Sequence, residues 1–409
     1  VYTLDAATLA ALRSGSPTMV LRLVALEADG TVRATYDLTR QTIVSGSTFA
    51  DLRRDVRRSA SLDVSGGTPI PRWITTTETV ATPGYFDSGY FDSGYFETGR
   101  VTTRAVVVET TDQLIDMLPQ GAALRVETGV LVDGGPSWVP MVTGYVTAAG
   151  TTMRSGIVSL TVESYLSACR QEAGEALVLA AGTPIAPALH TLWDPVLPFI
   201  EWNVEAASND RTLGADVPVL PTDSRLDVGL RLARSVGCEA YDDREGRVVV
   251  RVRPDPMTQE TARVMSSPID LYRGYSRPPV NAQPVEVSPG DAEPFYVLEE
   301  IDDPASPLHR SRIGLRMAPM IRSDTIPDPD TARALARSWL AGRMLRADEL
   351  DATEEALHLD LDEGDIVQRE ETVTRTSGRF VVESISYPLG PGTITTSERA
   401  VLPLFMEDE

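Results

Sequence analysis

Long runs of β-branched and apolar residues, each closed by a glycine-bearing turn, are what most restrict the folds open to this chain. Residues 18–28 (TMVLRLVALEA) and 32–44 are separated by Asp29 and Gly30, a pair that accepts the positive φ a tight hairpin demands. A further strand is expected over 53–64. The pattern resumes at 122–132, turns at Asp133, Gly134 and Gly135, and returns through 138–148 to 157–162. With a short opening helix, capped by Thr3 and ended by Gly15, these segments predict one barrel or sandwich over residues 1–172.

The pattern then changes. Thr183 and Pro184 start a short helix carrying Ile185, Leu189 and Leu192. A second helix is expected over 223–236, with Leu226, Leu230 and Ala233 on one stripe and Gly237 at its end. A hairpin follows, 239–242 and 247–252, so residues 173–262 read as a small α+β domain. From 263 to 409 the chain is β-rich again, with a helix over 329–346 that Asp328 caps and Pro329 begins. Strands are expected at 355–361, 365–370, 378–387 and 392–401. The fold class is therefore mainly β with α+β: two barrels or sandwiches flanking a small α+β domain.

The 59 acidic residues against 37 basic ones leave a net charge of −22. A firm grip on nucleic acid needs clustered positive charge to displace counterions from phosphates, so that class is disfavoured. The acidity serves either solubility or the wall of a channel along which DNA must slide without sticking. Every basic residue is arginine, and asparagine occurs only at 203, 209 and 281, the mark of a GC-rich genome. Cys169 and Cys238 read as two small buried hydrophobes, although a bridge between them is compatible with the sequence. No apolar run is long enough to span a bilayer and the start lacks a signal pattern, which predicts assembly in the cytoplasm without membrane insertion.

Residues 84–99 read GYFDS, GYFDS, GYFET, G and hold three of the eight phenylalanines. A period of five fits neither helix nor strand, so the segment is expected to be an arm rather than a core element. Its pairs Tyr85 and Phe86, Tyr90 and Phe91, Tyr95 and Phe96 offer apolar area with a polar tip. They suit docking on a protein neighbour first, folding over their own barrel second, and contact with a sugar third. Arg53, Arg54, Arg57 and Arg58 form the dense basic cluster; alternation splits them between strand faces, which points to ion pairing between subunits, with a solvated strand end as the alternative. His358, Asp360 and Asp362 share a predicted strand face before Glu363 and Gly364, but the segment departs from the twelve-residue calcium pattern, and no metal or cofactor is expected. Nucleophile elbows, zinc-protease helices, phosphate loops and dinucleotide fingerprints are missing, which predicts no enzyme activity and no catalytic residues.

The segments ADLRRDVRRSASLDV (50–64), GIVSLTVESYLSAC (156–169), DSRLDVGLRLARSVGCEAYDDREGRVVVRVRPDP (223–256), EGDIVQRE (363–370) and GRFVVESISYPLG (378–390) carry a resemblance. In their order and spacing the chain is similar to the hub, or minor tail, proteins of phages that infect high-GC Gram-positive bacteria; the GYFDS repeat lies outside the likeness. The resemblance implies that both barrels are tail-tube-like and that three chains close a ring of six barrels. It implies a structural role at the virion tail tip, adapting the sixfold tube or distal tail ring to a threefold tip and lining the DNA channel. The implied partners are two further copies, the distal tail protein or tube ring, the tape-measure protein, central tip or spike proteins, and phage DNA in passing. The hub of a contractile tail or injection machine is the alternative, and a receptor- or glycan-binding tip protein the next.

Overall fold

The computed structural model describes residues 2–13, 18–27, 29–38, 43–65, 70–81, 101–112, 123–133, 135–152, 157–266, 268–274, 280–288, 293–324, 326, 328–344, 349–354, 358–389 and 392–401. The chain opens with α1 (Ala6–Arg13). Its cap is Asp5 rather than Thr3, because the Asp5 carboxylate accepts from the Thr8 amide at 2.8 Å, the donor that the first turn leaves free. There follow β1 (Met19–Leu26), β2 (Val32–Leu38), β3 (Ile43–Asp51), β4 (Arg58–Ser65), β5 (Ile70–Ala81), β6 (Val101–Asp112), β7 (Ala123–Val132), β8 (Gly135–Thr152) and β9 (Ile157–Ser164).

These strands hydrogen-bond in the order β3-β4-β9-β8-β7-β1-β2-β5-β6, antiparallel throughout. Alternation sends Leu21, Leu23, Leu62, Leu124, Val142 and Leu160 into one core and the intervening residues outward. The strand expected from residue 53 begins instead at Arg58. Asp51 accepts from the Arg53 amide at 2.9 Å, an Asx turn that breaks the extended run over 52–57.

The next part holds β10 (Leu177–Leu179), α2 (Ile185–Trp193), β11 (Trp202–Val204), β12 (Val217–Val219), α3 (Arg225–Ser235), β13 (Cys238–Asp242) and β14 (Val248–Val252). The two helices back onto the sheet β11-β14-β13, and β10 pairs with β12. Ser224 caps α3, its hydroxyl accepting from the Asp227 amide at 3.2 Å. The fully buried Trp193 of α2 donates its indole N–H to the Arg225 carbonyl at 2.9 Å and lies flat against Gly229 of α3.

The last part comprises β15 (Thr261–Met265), β16 (Asp270–Gly274), β17 (Ala282–Val287), β18 (Phe295–Glu300), α4 (Arg310–Ile313), β19 (Ile321–Ser323), α5 (Pro329–Met344), β20 (Glu349–Glu354), β21 (Ile366–Glu371), β22 (Thr376–Pro388) and β23 (Ile394–Ala400). β16, β20, β23, β22, β21 and β15 surround a second core of Leu350, Val367, Phe380, Val382 and Ile385. Between β16 and β20 the chain builds a layer of its own, the sheet β18-β17-β19 with α5 packed on one face. The strand expected over 355–361 lies earlier, at β20; Leu359 and Asp360 form a turn, pinned where the Tyr387 hydroxyl meets the carbonyls of His358 (2.9 Å) and Leu361 (2.8 Å).

β22 joins the two barrel-like groups of strands into one hydrogen-bonded sheet. Its first half, to Val381, pairs with β21; from Ser384 to Pro388 it pairs instead with β3. The register slips between Val382 and Ser384, a bulge that bends the strand out of one barrel and into the edge of the other.

A candidate assembly site at the junction of the barrels

The bulge places Glu383 in a buried position, where it faces Arg399 at 3.3 Å and Arg53 at 3.6 Å. The neighbouring Leu52 amide donates to the Glu383 carbonyl at 2.8 Å. A carboxylate buried without partners costs several kcal/mol of desolvation, so this one binds the turn after β3 to β22.

Next to it, three parts of the chain meet on buried charges. Arg58, at the start of β4, donates to Asp362 at 2.5 Å and also to Glu363, both in the turn before β21. Arg244, in the β13–β14 turn, donates to Asp362 at 3.0 Å and to the carbonyls of Leu359 (2.6 Å) and Leu361. Arg57 donates to Glu239 of β13 at 2.8 Å, Arg251 of β14 donates to the same carboxylate at 2.6 Å, and both guanidiniums lie over the Tyr241 ring. Asp242 accepts from the Ser164 hydroxyl (2.8 Å) and the Leu166 amide (2.9 Å).

The protonation states follow from these contacts. Burial opposes ionisation of Asp362, yet Arg244 and Arg58 outweigh it and hold its carboxyl far below the usual range. Burial dominates at Glu363 and, with the Asp362 charge beside it, pushes its carboxyl up to about 7 despite Arg58. Burial likewise opposes ionisation of Glu239, but Arg57 and Arg251 bring it down to about 2. Removing one partner of such a buried pair leaves the other charge uncompensated in an apolar interior.

Of the four sequence-predicted arginines, Arg57 and Arg58 are thus buried inside the chain and pair within it, since their carboxylates come from residues about 180 and 300 positions away. That is the correction to pairing between subunits at these two positions. Arg53 and Arg54 point outward, their side chains 42% and 56% exposed, with Arg54 near Asp51 (3.7 Å) and over the Phe49 ring. They line a cleft of about 560 Å³ together with Arg170, Asp55, Glu163 and Asp227. Arg170 pairs with Glu163 at 2.5 Å and Asp55 with Arg234 at 2.9 Å, so the cleft is a charged, polar surface.

Arg263 donates to His358 at 2.5 Å and to Asp360, and burial with that guanidinium lowers the His358 pKa to about 4. A cation already occupies the place a metal would need there. Among the described residues no three His, Cys, Asp or Glu side chains are placed to hold a metal ion. Cys169 and Cys238 are both free and buried, and burial raises their thiols to about 12 and 11. The arm 84–99, with Tyr85, Phe86, Tyr90, Phe91, Tyr95 and Phe96, lies outside the described residues. Arg244, Glu239 and Arg251 carry no sequence signal; the acidic turn at 360–365 stood out only for its departure from a calcium loop, not as the socket for two arginines.

No protein-family model matches the chain, and no curated protein matches it in sequence. Solved structures do. A tail protein from Neisseria meningitidis MC58 aligns with a TM-score of 0.58 at 12% identity, over 95% of this chain and 99% of that one. The 43 kDa tail protein of prophage MuSo2 from Shewanella oneidensis gives 0.56 at 12% identity, over 93% and 98%. The prophage tail protein gp18 from Listeria monocytogenes EGD-e gives 0.51 at 9% identity, over 93% and 94%. At these identities the likeness is one of fold, and it extends over nearly the whole chain.

Proposed function

We propose that this chain, which has the fold of solved tail proteins along almost its full length, is the hub subunit of a phage tail tip. Three copies close a ring of six barrels, adapt the sixfold tail tube or distal tail ring to the threefold tip, and line the DNA channel. The observation that carries the reading is the pairing of β22 with β3. It sets two barrels edge to edge in one continuous sheet, so each chain occupies two adjacent places in a ring and three chains fill six.

The buried charges at the junction support the same role, since a ring element must keep its two barrels at a set angle. The net charge of −22 gives the channel a wall that repels the DNA backbone. Arg53 and Arg54, exposed at the cleft, are assigned to pairing with a neighbouring subunit, and the role is mechanical, without catalysis. Copy number decides the matter: native mass spectrometry and particle reconstruction of assembled tails should find three copies at the tip. One or six copies, or clearing of host cell wall in a zymogram by the purified chain, would rule the reading out.

A further inference from the structure

The sheet β18-β17-β19 is covered by α5 on one face, through Val285, Val287 and Val297. On its other face Ala282 and Pro284 of β17 are buried, while Tyr296 and Leu298 of β18 are exposed. Leu298 stands opposite Pro284, and Tyr296 opposite Glu286, which in turn faces Arg322. Tyr296, Leu298, Met317 and Met320 are 53%, 37%, 48% and 44% exposed, a run of large apolar side chains with two methionines. A sheet face of this kind is commonly a docking surface.

The segment flanking it is basic, unlike the molecule, although the sheet itself brings Glu286, which pairs with Arg322, and Glu300, which pairs with Arg310 at 3.3 Å. Residues 304–323 contain four arginines, one histidine and no carboxylate, in a chain where acids outnumber arginines 59 to 37. Among the described residues, Arg312 and Arg316 donate to the carbonyls of Pro304 (3.2 Å) and Ile313 (3.3 Å) rather than to an acid. Arg322, 80% exposed, pairs with Glu286 at 3.0 Å. The occupant that fits is acidic and aromatic. The arm 84–99 has that composition: a Tyr-Phe pair and one acid in every five residues, with Asp87, Asp92 and Glu97. Aromatic rings pack well on methionine sulfur, and carboxylates pair well with guanidiniums.

Topology says which copy supplies the arm. The hairpin β5–β6, which carries it, ends the hydrogen-bonded path of the large sheet, whereas β16, which leads into β17, begins that path. β5 pairs with β2 only over Arg72–Ile74, so from Thr75 to Ala81 and from Val101 to Val107 the two strands have only each other as partners among the described residues. That stretch extends about 23 Å at ~3.3 Å per residue. In a head-to-tail ring, the end of one copy's path meets the beginning of the next. We infer that the GYFDS arm of one copy docks on the face of its neighbour's β17–β19 sheet opposite α5, an inference that rests on the ring proposed above.

The test uses assembled tails in which a photoreactive benzoylphenylalanine replaces Phe91. Irradiation should yield species of twice the chain mass, with the crosslink in the tryptic peptide 317–322. The pair of surface changes Arg316→Glu and Arg322→Glu should lower that yield about tenfold, while the melting temperature of the purified chain stays unchanged. Crosslinks confined to single chains, crosslinks to another surface, or none at all would overturn the docking. Copy number measured on the same tails judges the hub separately: three copies with crosslinks elsewhere sink only the arm's assignment.

Discussion

At the scale of single residues, the junction is decided by where charge can be neutralised. Glu363 is the sensitive member, because it is fully buried beside Asp362 as well as Arg58 and Arg57. Its carboxyl is raised from about 4.5 in the unfolded chain to about 7 in the folded one. A raised acid favours folding while protonated, so its contribution is lost as pH climbs from 4.5 through 7. Glu363→Gln is fixed in the neutral form. Its melting temperature relative to the parent should therefore be higher at pH 8 than at pH 5, as thermal scans at the two values would show; a difference that does not change with pH would contradict the assignment. Arg57 gives the complementary case. Arg57→Met alone strands Glu239 with one partner fewer and should cost about 3–5 kcal/mol in denaturant unfolding, whereas Arg57→Met with Glu239→Met should recover most of that loss.

Among the elements, helix packing is set by one close approach. A Cβ at Gly229 would lie 2.5 Å from the Trp193 ring, which cannot swing aside while its N–H is held by the Arg225 carbonyl. Alanine in a helix gains about 1 kcal/mol over glycine, and overpacking a buried ring costs about 1–3 kcal/mol. Gly229→Ala should therefore destabilise the chain despite its better propensity, and a higher midpoint in urea would refute that packing. Here the limits of sequence reasoning are visible. Hairpins such as β1–β2 were legible, since alternation and Asp29-Gly30 are local, and so was the stripe of α3. The cap of α1 slipped from Thr3 to Asp5 because the two lie close together and both can accept from a first-turn amide. The bend of β22 was hidden, because no local pattern tells which distant edge a strand will meet. The partners of Arg57 and Arg58 were hidden for the same reason. They lie in other parts of the chain, and a basic run looks the same whether its partners are inside or outside.

For the molecule as a whole, the question is whether the two barrels act as one rigid piece. Two kinds of contact join them: backbone pairing of Ser384–Pro388 with Ser47–Asp51, and the buried charges that add the small α+β domain to both. Pairing alone would allow a sheet to flex about its strand direction, but Arg58 and Arg244 meet Asp362 from two different bodies and so fix the angle. A covalent staple tests this. Phe49 and Ser386 face each other across the β3–β22 boundary, where opposing Cβ atoms in antiparallel strands come within reach of a disulfide. The native cysteines will not compete, since both are buried with raised thiol pKa values. The double variant Phe49→Cys and Ser386→Cys should oxidise readily and gain about 2–4 kcal/mol of stability on closing so long a loop. Tails built from the stapled chain should assemble and eject DNA as the parent does. If the staple forms and the chain folds but tails fail to assemble, the barrels must separate during assembly, and the fixed two-barrel unit on which a six-barrel ring depends would have to be abandoned.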